Sequence, residues 1–229
     1  MFDSINLMLP SYKRPDMLRR FVDSAFSTAK KPESLCFTFM TNDKDASYDN
    51  FKWPERSCVL RESSTEPNLS AYFNAMFADT AFSDPNIACS MLGDDMVFET
   101  QGWDVAVINQ LNEADGVAVV HCEDGFCSHG AIPVNLFVAR KFVEAMGVPF
   151  MCPYYKRYYM DEAYAHIADS IDANYFLFDV MIRHDHTSGK TWDETYARLQ
   201  DLDGEFGDTK AMWLYVNQAV RNILRSGLL

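Results

Sequence analysis

Short apolar runs alternate with amphipathic stretches through the first half of the chain. Ile5 to Leu9 is one such run and stops at Pro10. From Pro15, Met17, Leu18, Phe21, Val22, Ala25 and Phe26 fall on one helical face, with proline at the first turn, where a helix tolerates it. Leu35 to Met40 and Cys58 to Leu60 read as the next two strands, and Leu69, Tyr72, Phe73, Met76 and Phe77 form a second helical stripe after Pro67. Ile87 to Leu92 is a strongly apolar strand that runs into Gly93-Asp94-Asp95. Gln101 to Asn112 reads as a helix and Val117 to Val120 as a buried strand. Beyond these, Phe137 to Met146 and Met160 to Ile171 are expected helices. Tyr175 to Ile182 is strand-like, with Phe176, Phe178, Val180 and Ile182 alternating, and Met212 to Leu224 forms a last amphipathic helix. Strand–helix–strand units of this kind predict an α/β architecture around a largely parallel sheet. No linker, repeat or low-complexity tract divides the chain, so one domain over residues 1–229 is expected.

Charge narrows the possible partners. The chain carries 20 Lys+Arg against 33 Asp+Glu, a net charge of -13. That argues against a nucleic-acid coat protein or a basic membrane-surface binder, since both gain affinity from positive fields. A nucleic-acid acceptor receives no support from this balance. No apolar run approaches the roughly 18–20 residues of a membrane span, and residues 1–10 lack the pattern of a signal peptide, so a cytoplasmic location is expected. The six cysteines are dispersed without a Cys-x-x-Cys pair and read as buried thiols instead of disulfides.

Candidate chemistry concentrates where apolar strands end. Asp94 and Asp95 emerge at the end of a strand, and strand carboxyl ends line the ligand crevice in open α/β sheets. Paired carboxylates there suit a hard divalent cation, Mn²⁺ or Mg²⁺. Pro10-Ser11-Tyr12-Lys13-Arg14-Pro15 places hydroxyls and two cations before a helix N-terminus, a setting that receives anions. Residues 1–31 hold six Lys/Arg against three Asp, so this edge is positive on an acidic protein and could receive a diphosphate. His121, Cys122, Cys127 and His129 supply four zinc-type ligands without the usual zinc spacing. That spacing makes zinc the weaker reading of the loop. Tyr154, Tyr155, Tyr158 and Tyr159 form an aromatic run that reads first as an interfacial cluster and alternatively as a platform for a sugar or a base.

Taken together, these segments resemble the GT-A glycosyltransferases, especially the family 2-like group. The resemblance rests on Pro10-Ser11-Tyr12 with Arg14-Pro15, Asp43 after the second strand, the helix opening Pro67-Asn68-Leu69, and the segment from Gly93 to Asp104. It implies a single GT-A, Rossmann-like α/β domain with a mostly parallel mixed sheet flanked by helices. Residues of about 1–115 would hold the nucleotide, and about 116–229 the acceptor. The implied activity is transfer of a sugar from a nucleotide-sugar donor, a UDP-sugar first of all, to an acceptor hydroxyl. Pro10, Ser11, Tyr12, Arg14, Asp43, Asn68 and Asp94 would line the nucleotide. Asp95, with Asp94 and a late His184 or His186, would hold the metal. Asp161 or Glu162, opening a helix, resembles the family's acid beside the acceptor and would take a proton as general base. One departure stands out: Gly93 occupies the place of the first acid in the usual Asp-x-Asp, which leaves Asp95 at the metal position. A nucleotidylyltransferase would normally carry a Gly-rich phosphate loop near the first strand, which is not found here. A non-catalytic nucleotide- or glycan-binding protein of the same fold is the remaining alternative.

Overall fold

The computed structural model describes residues 1–64, 68–79, 81, 84–125, 130, 132–156, 159–185 and 209–229. Among the described residues, eight strands form one mixed sheet: β1 (Ser4–Pro10), β2 (Leu35–Asn42), β3 (Ser57–Glu62), β4 (Ile87–Met91), β5 (Met96–Phe98), β6 (Val119–Glu123), β7 (Leu136–Ala139) and β8 (Asn174–His184). Their spatial order is β3-β2-β1-β4-β7-β6-β8-β5. The flanking helices among the described residues are α1 (Pro15–Thr28), α2 (Leu69–Ala78), α3 (Trp103–Glu113), α4 (Arg140–Met146), α5 (Met160–Asp169) and α6 (Lys210–Ser226).

Strand direction places the chemistry. β1 to β4 pair in parallel, β7 lies antiparallel between β4 and β6, and β6 pairs parallel with β8. Six strands therefore point one way, and only β7 and β5 run back. The carboxyl ends of β1, β2, β4, β6 and β8 consequently meet at a single edge. That edge carries Ser11, Asp43, Gly93 to Asp95, Asp124 and His184.

Aromatic side chains bind the layers together. Phe21 of α1 meets Phe98 of β5 edge-on at 5.3 Å, Phe98 lies 4.3 Å from Trp103 of α3, and Trp103 lies 6.0 Å from Phe137 of β7. Trp103 is fully buried and its indole donates to the Ala25 carbonyl at 3.3 Å, so its one polar atom is satisfied. A second cluster joins Phe77, Phe150 and Tyr164, with the Tyr164 and Tyr215 hydroxyls both donating to the Phe150 carbonyl at 2.9 Å.

Two expectations are corrected. Residues 137–139 belong to a strand, and the helix begins only at Arg140. Leu136 to Ala139 is hydrogen-bonded on both sides, to β4 and β6, and all four residues are fully buried. Burial on both faces removes the alternation that marks a strand, so an apolar run there cannot be told from helix by periodicity alone. The expected alternation in β8 also fails at Phe178, which is 77% exposed. The pairing with β6 shifts between Cys122 and Glu123, from Leu177 to Met181, and this bulge turns Phe178 outward. The five described cysteines carry free thiols, and Cys127 lies outside the described residues. Among the described residues, no helix is long and apolar enough to cross a membrane.

Candidate active site

The loop leaving β1 is tied to the end of β4. Pro10 closes β1 opposite Met40, and the Ser11 amide donates to the Met40 carbonyl at 2.9 Å. Ser11 Oγ donates to Asp94 Oδ2 at 2.5 Å, and Arg14 Nη1 reaches Asp94 Oδ1 at 3.1 Å. Arg14 and Asp94 are both buried, so each charge needs the other, because an unpaired ion in such a place is strongly destabilising. Burial pushes the Asp94 carboxyl up to about 6; Asp95 adds to the rise, while Arg14 and Ser11 oppose it. Tyr12 is half-buried, and the Lys13 ammonium sits 5.3 Å from its ring centre.

A second group gathers around Asp95. β5 pairs antiparallel with β8 so that Met96 faces His184, and the Asp185 amide donates to the Asp95 carbonyl at 2.9 Å. This register brings His184 Nε2 to 3.4 Å from Asp95 Oδ1. The His184 amide donates to the Asp124 carbonyl at 2.9 Å, which anchors β8 to the end of β6. Asp185 is in turn gripped by Arg20 and Arg183. Asp161, in the first turn of α5, lies close enough to His184 for the two charges to influence each other.

Gly93 explains the departure from Asp-x-Asp. A Cβ at this position would lie 2.5 Å from Asp95 Oδ1, so the carboxylate occupies the space a side chain would need. We expect Gly93→Ala to keep the fold, since only a side-chain tip stands in the way, but to swing Asp95 aside. Isothermal titration with Mn²⁺ and a nucleoside diphosphate should then show affinity reduced about tenfold, the scale at which misplaced ligand support acts.

Titration behaviour separates the site's groups. Burial alone would lower the His184 pKa, but the hydrogen bond and charge of Asp95, with Asp124 and Asp161, raise it overall. Burial raises Asp161, opposed by hydrogen bonds from the Glu162 amide and its own and by the charge of His184. Glu162 is raised by burial and by Asp161, against His166. A raised histidine pKa has two consequences of opposite sign. Without metal, the Asp95–His184 pair contributes stability that is fully present below the unfolded histidine value and is lost as pH rises through the higher folded value. A metal needs neutral imidazole, so metal affinity should rise over the same interval. Melting temperatures against pH, with and without Mn²⁺, should diverge there for the native chain and run parallel for His184→Asn.

Asp43 shares this sheet edge, and the other expected residues belong to neighbouring elements. Asn68 caps α2, its Oδ1 accepting from the Ala71 amide at 2.9 Å. Asp43 is exposed at the end of β2, its amide donating to the Glu62 carbonyl at 3.0 Å. His121 is buried against Asn174, with 3.1 Å between Nε2 and Oδ1. Tyr155 packs edge-on against Tyr159 at 4.9 Å and accepts from the Met212 amide, while Tyr154 is exposed. His129, Tyr158, His186 and residues 187–190 lie outside the described residues.

Two contributors have little signature in the sequence. Tyr48 OH lies 2.5 Å from Ser11 Oγ and accepts from the Arg14 amide at 3.1 Å, while Asp45 accepts from the Lys13 amide at 2.6 Å. The Asp45-Ala46-Ser47 spacing announces a local turn. Nothing in it announces a contact with a loop some thirty residues earlier.

No family model matches the sequence, and no curated protein is similar to it. Solved structures do match. The mannosyltransferase PcManGT from Pyrobaculum calidifontis, in complex with GDP-Man and Mn²⁺, superposes with a TM-score of 0.61 at 8% identity, covering 99% of this chain and 74% of that one. TarS of S. aureus gives a TM-score of 0.61 at 8% identity over 96% of this chain and 43% of that one. Its 1–349 portion gives the same score and identity over 98% and 72%. This chain thus spans less than half of the longer TarS chain. With its mixed sheet, its order of strands and its acids at the common carboxyl edge, the chain has a GT-A fold, like the mannosyltransferase PcManGT and TarS.

Proposed function

We propose that the protein is a metal-dependent glycosyltransferase that moves a sugar from a nucleotide-sugar donor to an acceptor hydroxyl. The observation that carries the reading is the approach of Asp95 Oδ1 and His184 Nε2 to 3.4 Å at the carboxyl edge of the sheet, beside Asp161. Two ligand atoms each about 2.1–2.2 Å from one ion lie roughly 3–3.5 Å apart, so this pair fits adjacent positions around a cation. Among the described residues, no three His, Cys, Asp or Glu side chains form a ready-made metal cluster. Donor phosphates and water would therefore complete the shell, as Mg²⁺ and Mn²⁺ sites commonly allow. An imidazole ligand tilts the choice toward Mn²⁺. When bound, the cation offsets negative charge on the departing diphosphate.

The protein's own groups divide the remaining work. Arg14, at the start of α1, would meet the phosphates, and Ser11 and Tyr12 would line the nucleotide. Asp94 would face the ribose or support Asp95. Asp43, exposed at the end of β2, would accept from a base N–H. Asp161 would take the proton of the attacking hydroxyl in an inverting transfer, its raised pKa making it a better base. Residues of about 1–115 would thus serve the donor and those of about 116–229 the acceptor.

Binding of donor tests the reading directly. A thermal-shift series with UDP-sugars, as the sequence suggests, and GDP-mannose, as PcManGT binds, each with and without Mn²⁺, should show stabilisation that needs both components. Equal melting temperatures across the whole series would dismiss the donor-binding role.

A further inference from the structure

Lys13 is one of four described residues other than glycine with a positive φ, and it is the one in the β1–α1 loop, at +54°. A left-handed backbone is unfavourable for a side chain of this length and persists only where its surroundings impose it. What faces it is Asp45. The buried Asp45 carboxylate accepts from the Lys13 amide through Oδ2 at 2.6 Å. Its Oδ1 accepts from the Ser47 amide at 3.1 Å and the Ser47 hydroxyl at 2.6 Å. One side chain therefore fastens the turn leaving β2 to the loop leaving β1.

The residues on either side of Lys13 show what this achieves. Ser11 and Arg14 both reach Asp94, and Lys13 lies in the turn between them. Tyr48, from the same short turn as Ser47, fixes the rest. Ser11 has one hydroxyl hydrogen and gives it to Asp94, so the Tyr48 phenol must donate to Ser11 Oγ while accepting from the Arg14 amide. The hydrogen bonds run in one direction, from the Arg14 amide through Tyr48 and Ser11 to Asp94.

We propose that Asp45 is a positioning residue of the nucleotide site: its carboxylate holds Lys13 in the left-handed conformation and so keeps Ser11 and Arg14 anchored on Asp94 at the nucleotide edge. This rests on the nucleotide-binding role proposed above. Asp45 does not touch the nucleotide; it acts through the shape of the loop. It follows that the need for Asp45 disappears once residue 13 can adopt a positive φ without help, as glycine can.

A double-mutant cycle on the full chain tests this, using UDP and GDP with Mn²⁺ as probes in isothermal titration and comparing native protein, D45A, K13G and the double variant. K13G removes a cation and sets its own baseline. D45A should weaken binding of the nucleotide that the native chain takes by about tenfold, ~1.4 kcal/mol. In the K13G background the same change should cost less than about threefold, and the melting temperatures should show the same coupling. An equal penalty in both backgrounds, or none in either, overturns the proposal. If D45A alone does not fold but the double variant does, the rescue is shown in a stronger form. Should neither fold, D45N run through the same cycle decides by the same ratio. A native chain that binds neither nucleotide removes the nucleotide role itself, an outcome distinct from binding without coupling.

Discussion

Asp95→Asn should abolish Mn²⁺-dependent nucleotide binding and lower sugar transfer at least about 100-fold, close to 3 kcal/mol of transition-state stabilisation. The amide keeps the shape of the carboxylate but loses its charge, so the side chain no longer attracts a cation or supports the neighbouring imidazole. Because Asp95 lies 3.4 Å from His184, the substitution should also return His184 toward its ordinary basicity, which an NMR titration of the imidazole would register. The fold should survive, since the Asp185 amide bonds to the Asp95 backbone carbonyl and not to the side chain. Unchanged nucleotide affinity in Mn²⁺ would remove Asp95 from the metal site.

Asp161→Asn should lower turnover by about 10²- to 10⁴-fold, the range of a lost general base, with nucleotide affinity near that of the native chain. Asp161 and Glu162 share the first turn of α5, and the Glu162 amide donates to Asp161 Oδ1 at 3.0 Å. Only Asp161 is within electrostatic reach of His184, whereas Glu162 senses His166. Glu162→Gln should therefore cost much less. If both variants keep turnover, the proton leaves by another route; if Glu162→Gln alone is inactive, the assignment moves by one residue.

The sheet edge that carries the candidate site was legible because its signals are local. An apolar run, a proline and a cation cluster lie within fifteen residues of Met1, and Gly93-Asp94-Asp95 follows an unmistakable strand. The strand-like run from Tyr175 also leads into Arg183-His184-Asp185, and β8 ends at His184. What escaped reading depends on contacts between distant segments. β7 resembles helix until β4 and β6 are seen on either side of it. Tyr48 is one aromatic residue among 11 tyrosines until its hydroxyl is found between Ser11 and Arg14. Asn68 shows the converse. Its place at a helix opening was correctly read, yet its side chain serves as a cap in the structure.

Single-edge convergence has a consequence for how the protein comes to be active. Ser11 and Asp94 meet across 83 positions of sequence, and Arg14 and Asp94 across 80. β5, only three residues long, owes its place to β8, a strand made almost eighty residues later. Contacts of such separation form late, after loop-closure entropy has been overcome. During synthesis the β1–α1 loop can fold against β2 while Asp95 still waits for its histidine. Metal affinity should thus appear abruptly, once β8 has been added and locked beside β5, and a chain ending before Asn174 should lack it even where its first four strands are native.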